Sequence, residues 1–159
     1  NIGRPFFDIL NKLNLDKKIH KKVYKDYKKI SKKNLNKIKL YKDINLTLKE
    51  LRKKYLIGIV TSKDKRRTFQ ILRKFKLKFK VIICPRKGIK GKPDPSQINE
   101  ALKKLKAKPK SSYYVGDMMV DYIASKSAKV NFIFAKYGYS KDKTIYKKKI
   151  YKFKDLLKI

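Results

Sequence analysis

With 159 residues, 42% of them apolar, the chain has material for one core and a small appendage. No apolar run approaches the roughly 20 residues of a membrane span, and Asn1 to Leu15 lacks the basic, apolar, small order of a signal peptide, so a cytoplasmic protein without a membrane partner is expected. The 47 Lys and Arg outnumber the 12 Asp and Glu for a formal charge of +35, but they are nearly all lysine and spread from Lys12 to Lys158; such diffuse charge supplies only salt-sensitive, sequence-independent attraction, so no specific nucleic-acid partner is expected.

In chain order, apolar residues first recur at helical spacing among lysines, as Phe6, Leu10 and Leu13 and then as Ile19, Val23, Tyr27 and Ile30. Two amphipathic helices are predicted up to about residue 38. His20, the only histidine, is flanked by basic residues and reads as a solvated helix position rather than a catalytic base. From Tyr41 the rhythm changes to short apolar runs: Leu56 to Val60, Val81 to Cys84, Tyr113 to Val115 and Phe132 to Ala135. Helical segments alternate with them, at Leu46 to Lys54, Arg66 to Phe75, Pro95 to Leu105 and Val120 to Ala128.

Strands this short, apolar throughout and separated by helices predict an α/β fold, a doubly wound parallel sheet covered on both faces. Tyr113, Tyr114, Phe132 and Phe134 are expected inside buried strands. The lone Cys84 closes an apolar run and reads as a core thiol. Residues 146 to 159 read as a lysine-rich edge segment closed by a short helix.

In an open parallel sheet, ligands bind beyond the carboxyl ends of the strands. Three segments there bear on chemistry. Asp117 and Asp121 of Gly116-Asp117-Met118-Met119-Val120-Asp121 lie one helical turn apart, so their carboxylates can face one point and suit Mg²⁺, which keeps water and phosphate as its other ligands. Equally, Asp117 can cap a helix and Asp121 be a solvated first-turn acid. Thr61 and Ser62 follow the first strand, where a hydroxyl beside free N–H groups can hold a phosphoryl oxygen or merely cap the next helix. Lys92, in Gly91-Lys92-Pro93-Asp94-Pro95, is a cation on a stiffened backbone, or one more solvated lysine.

The order of these segments, strand-Thr61-Ser62, Gly91-Lys92-Pro93, then Val115-Gly116-Asp117 with Asp121, resembles motifs two, three and four of the haloacid dehalogenase superfamily, most closely its phosphoglycolate-phosphatase-like branch. Ile2-Gly3-Arg4-Pro5 is similar to part of that branch's helical cap, residues 41–67 to the return into the core, and Tyr137-Gly138-Tyr139 to a late loop. The resemblance implies a three-layer Rossmann-like core over residues 41–159 and a partial cap over 1–40. It implies that Thr61 binds the transferring phosphoryl group with help from the Ser62 backbone and that Lys92 neutralises charge. Asp117 and Asp121 would hold Mg²⁺ directly or through water. A phosphatase acting on a small phosphorylated metabolite, such as phosphoglycolate or a sugar phosphate, through an aspartyl-phosphate is then expected.

Three departures accompany the resemblance. Lys129 and Lys42-Asp43 stand where a Gly and a Pro-Gly are usual, and motif one, Asp-x-Asp-Gly-Thr, with the nucleophile and the acid/base, is missing. Asp8 is the only early acid near an apolar run, and it reads as a helix residue. Motif one also forms the central strand, between those that here end at Thr61 and Gly116, so the chain alone is expected to be inactive and poorly stable. The other class of function left open is a non-catalytic fold that binds polyanions or a partner protein.

Overall fold

A computed structural model describes residues 3–140 and 146–159; Asn1 and Ile2, with which the expected cap segment begins, lie outside the described residues. The first two helices are α1 (Phe6–Lys12) and α2 (Lys17–Lys33). Asp16 caps α2 by accepting the Lys18 N–H at 2.8 Å. Apolar spacing brings the two helices together through aromatic rings: Phe6 stacks on Tyr27 at 4.5 Å and meets Tyr24 at 5.3 Å. His20 is not solvated as its lysine neighbours suggested. It is buried, with Nε2 donating to the Leu15 carbonyl at 2.9 Å, because the α1–α2 turn folds back over that face.

A 3₁₀ turn, Asn34–Lys37, ends this part. Its free carbonyls are claimed by Lys74, whose Nζ reaches the Leu35, Asn36 and Ile38 oxygens at 3.0, 3.0 and 2.8 Å. The core then alternates as α3 (Ile44–Arg52), β1 (Gly58–Val60), α4 (Lys65–Lys74), β2 (Val81–Ile83), α5 (Ser96–Leu105), β3 (Tyr113–Gly116), α6 (Met119–Ser127), β4 (Asn131–Ala135) and β5 (Lys149–Ile150), followed by a 3₁₀ turn, Phe153–Lys158.

All strand pairings are parallel, but they form two sheets: β1–β2, and β3–β4–β5. Among the described residues no ladder joins β1 to β3. Packing joins them instead. Val60 at the end of β1 packs against two clusters: Ile98, Ala124, Ala128 and Val130, where Leu102 and Tyr114 also pack, and Val81, Ile83 and Ala101, where Leu105 also packs. Helices α5 and α6 therefore bridge the sheets by apolar contact, at roughly 25 cal/mol for each Å² removed from water.

The missing ladder also corrects the expectation of strands buried throughout. Tyr113 is 47% exposed and Val115 36%, and Leu56, which lies outside β1, is 69% exposed. Phe134 and Cys84 are buried as expected, and burial pushes the Cys84 thiol pKa up.

Both substituted family positions carry a left-handed backbone: φ is +63° at Asp43 and +58° at Lys129. That is the conformation glycine adopts without steric penalty and a lysine does not. Lys129 is exposed, two residues past the end of α6, so its side chain contributes no core packing. We expect Lys129→Gly to stabilise the fold by about 1 kcal/mol, read as a higher urea midpoint at unchanged slope; a lower midpoint would contradict the strained turn.

Candidate active site

The ends of β1 and β3, which no ladder joins among the described residues, are linked by the Tyr114 hydroxyl, 3.5 Å from the Val60 carbonyl. Lys92 enters from the loop between β2 and α5. Although one of many lysines, it is only 6% exposed, and its Nζ contacts Asp121 Oδ1 at 2.5 Å and the Tyr114 hydroxyl at 3.2 Å. It is not the solvated side chain that composition alone would favour. Burial works against its charge, but Tyr114 and Asp121 outweigh that penalty and hold the Lys92 pKa above its ordinary value.

Asp121 is likewise no solvated first-turn acid: it is 4% exposed. One oxygen faces Lys92; the other accepts the Met118 N–H at 3.1 Å and the Asp117 N–H at 3.3 Å. It thus satisfies donors at the N-terminus of α6, where a negative charge is favoured. Gly116 makes the fit possible, because a Cβ there would come within 2.5 Å of Asp121 Cβ.

Asp117 stands one turn earlier and points elsewhere. Its Oδ2 accepts the Tyr139 N–H at 2.7 Å, which ties the strand end to the late loop. A side chain on Gly138 would collide with the Asp117 carboxylate, so the Tyr-Gly-Tyr sequence is what lets the loop approach. Tyr137 packs against Tyr41 with rings 4.8 Å apart, and burial with the neighbouring acids pushes its hydroxyl up to about 12.

Thr61 and Ser62 directly follow β1, and no hydrogen bond among the described residues joins them to Lys92, Asp117 or Asp121. The Thr61 N–H continues the ladder to the Ile83 carbonyl at 2.9 Å, and its Oγ1 accepts from the Lys63 N–H at 3.1 Å. It does not cap α4; Asp64 does, accepting from the Arg67 N–H at 2.9 Å. The Ser62 hydroxyl donates to the Gly3 carbonyl at 2.5 Å, joining the N-terminal segment to the site.

Tyr114 is the residue that sequence reasoning missed. Expected as strand filler, it puts its ring against the core and its hydroxyl 3.2 Å from Lys92, 3.5 Å from Asp121 and 3.5 Å from the Val60 carbonyl. Burial raises its hydroxyl pKa to about 12, with Lys92 opposing and Asp121 adding to the shift, so it stays a neutral phenol.

A hard divalent cation takes oxygen ligands, with one or two carboxylates from the protein. Asp117 fits this role, since the hydrogen bonds among the described residues leave its Oδ1 uncommitted. Asp121 has both oxygens engaged and fits it through water. Among the described residues there is no group of three or more His, Cys, Asp or Glu that could hold a metal.

Removing one partner of a buried pair strands the other. We therefore expect Asp121→Asn to cost about 3 kcal/mol and Tyr114→Phe about 1 kcal/mol in urea unfolding. Lys92→Met combined with Asp121→Asn should cost clearly less than the sum of the two singles; strict additivity would contradict the coupling.

Comparison with known proteins gives this arrangement a lineage. The family profile described as haloacid dehalogenase-like hydrolase matches residues 2–135, which include Thr61, Lys92, Asp117 and Asp121. A provisionally named pyrophosphatase, PpaX, of Caldanaerobacter subterraneus subsp. tengcongensis is 29% identical over 140 residues, covering 86% of this chain and 63% of that protein. The chain thus spans less than two thirds of that relative. Among solved structures, a provisionally named phosphoglycolate phosphatase of Lactobacillus plantarum superposes with a TM-score of 0.85 at 22% identity, over 99% of this chain and 78% of that one. A provisionally named haloacid dehalogenase-like hydrolase of Bacteroides fragilis gives 0.83 at 27% identity, over 98% and 79%. With the profile spanning most of its length and an α/β fold of the same kind, the chain belongs to the haloacid dehalogenase-like hydrolase family.

Proposed function

We propose that this chain supplies the phosphoryl- and metal-binding part of a Mg²⁺-dependent phosphatase acting on a small phosphate monoester. The observation that carries the proposal is the buried Lys92–Asp121 pair, joined to Asp117 through the turn after β3 and to the end of β1, where Thr61 follows, through the Tyr114 hydroxyl. A fixed ammonium and hydroxyl at strand ends suit a substrate that gathers charge on phosphoryl oxygens during transfer. PpaX, similar over most of this chain, supports a phosphate substrate in the general sense.

In the proposed reaction, a carboxylate from outside these 159 residues attacks phosphorus. The ester P–O bond breaks, the leaving oxygen takes a proton from a second carboxyl of the same missing motif, and that group then draws a proton from the water that hydrolyses the acyl-phosphate to release inorganic phosphate. Thr61 donates its hydroxyl to a phosphoryl oxygen and Lys92 offsets the negative charge of phosphate and nucleophile. Asp121 holds Lys92 in place, and Tyr114 excludes water from the pair. Mg²⁺, held by Asp117 and reached by Asp121 through water, would supply further electrostatic stabilisation of phosphoryl oxygens.

The same proposal assigns residues 1–40 to a partial helical cap and 41–159 to a core that lacks its central strand. The 159 residues alone are then inactive. The full-length protein should release phosphate from p-nitrophenyl phosphate only with Mg²⁺. Asp117→Asn should lower kcat by about a hundredfold or more. Metal-independent release, full activity in Asp117→Asn, or turnover by the 159 residues alone would contradict it.

A further inference from the structure

Away from the strand ends, α2 and α4 enclose a cavity of about 230 Å³. None of Thr61, Ser62, Lys92, Asp117 or Asp121 lines it. Lys25, Lys28, Lys29 and Lys32 do, at helical spacing along one face of α2, opposite Arg66 and Arg67 from the first turn of α4. Like charges brought together this way repel, and neither apolar cluster among the described residues includes a residue of α2 or α4.

Arg67 sharpens the point. It is only 6% exposed, yet its Nε and Nη1 are buried without a hydrogen-bond partner, and no ion pair among the described residues includes it. Asp64, the one acid lining the cavity, gives an oxygen to the Arg67 backbone N–H as the helix cap. A buried cation without an acceptor is costly, and the ordinary remedy is an anion. Guanidinium presents planar, fixed donors that match phosphate oxygens, and the surrounding lysines add point charges around them.

We infer that the α2–α4 cavity is a second anion site, which binds a phosphoryl group on Arg67 and the α2 lysines. It is separate from the proposed catalytic centre and needs no metal, so it stands or falls independently of the phosphatase reading. Its phosphoryl group belongs to free phosphate or to a phosphorylated metabolite.

The test is a titration of the full-length protein, without divalent metal and at fixed ionic strength, with inorganic phosphate and separately with glycerol 1-phosphate, read by ¹⁵N amide shifts. Saturable shifts confined to residues 25–32 and 64–70 are expected, tighter for the monoester if a metabolite is the natural ligand and for phosphate if the free ion is. Arg67→Met should weaken binding about tenfold, the loss of one charge-assisted contact. The exposed Lys29→Gln, which leaves the fold intact, should weaken it a few-fold, and the distant Lys106→Ala should leave it unchanged. No saturable shift at residues 25–32 and 64–70, shifts only around residues 116–121, or equal losses from Lys29→Gln and Lys106→Ala would overturn the inference.

Discussion

Lys92 carries its ammonium into a place where few lysines go, and Asp121 is what keeps it there. A charge moved out of water costs several kcal/mol unless another charge and further hydrogen bonds meet it. Here they do: one Asp121 oxygen faces the ammonium, the other closes the N-terminus of α6, and the Tyr114 hydroxyl joins the pair. Because Asp121 is bound on both sides, the loop holding Lys92, the end of β3 and the start of α6 are fixed relative to one another. Asp117, four residues earlier, inherits its position from the same turn and is steadied by the late loop through Tyr139.

The pair also sits at the open seam of the fold. With β1 and β3 in separate sheets, no ladder of backbone hydrogen bonds joins them among the described residues. What crosses the seam is side-chain packing around Val60, and the contact of Tyr114 with the Val60 carbonyl. Apolar contact is strong but non-directional; it holds two sheets near each other without fixing a register. In the proposed whole protein, a strand between β1 and β3 would supply that register and bring a carboxylate toward Lys92. Ligands in parallel sheets gather beyond the carboxyl ends of the strands, which is where the proposed site residues Thr61 and Asp117 follow β1 and β3.

Much of this could be read from the residues themselves. Short apolar runs located β1 to β4, and helical spacing located α3 to α6 to within a residue or two, since both signals depend on local periodicity. The left-handed turns at Asp43 and Lys129 were foreshadowed by the two places where glycine was expected and another residue stood. What could not be read depends on tertiary contact. A tyrosine in a strand looks like filler, and only the loop that brings Lys92 within reach gives the Tyr114 hydroxyl a partner. His20 looks solvated until α1 folds back over it. In Lys63-Asp64-Lys65-Arg66-Arg67 every residue is charged, so the sequence offers no sign that Arg67 is the buried one; that follows from which face of α4 turns toward α2.

The central claim is that Asp117, held beside the Lys92–Asp121 pair, is the carboxylate that meets a divalent cation. The most direct measurement is paramagnetic broadening of backbone amide signals by substoichiometric Mn²⁺ in the full-length protein. The account predicts that the amides of residues 116–121 and 138–139 broaden first, and that Asp117→Asn abolishes this selectivity. Broadening centred on another acid, such as Asp64 or Asp26, or unchanged by Asp117→Asn, would contradict it.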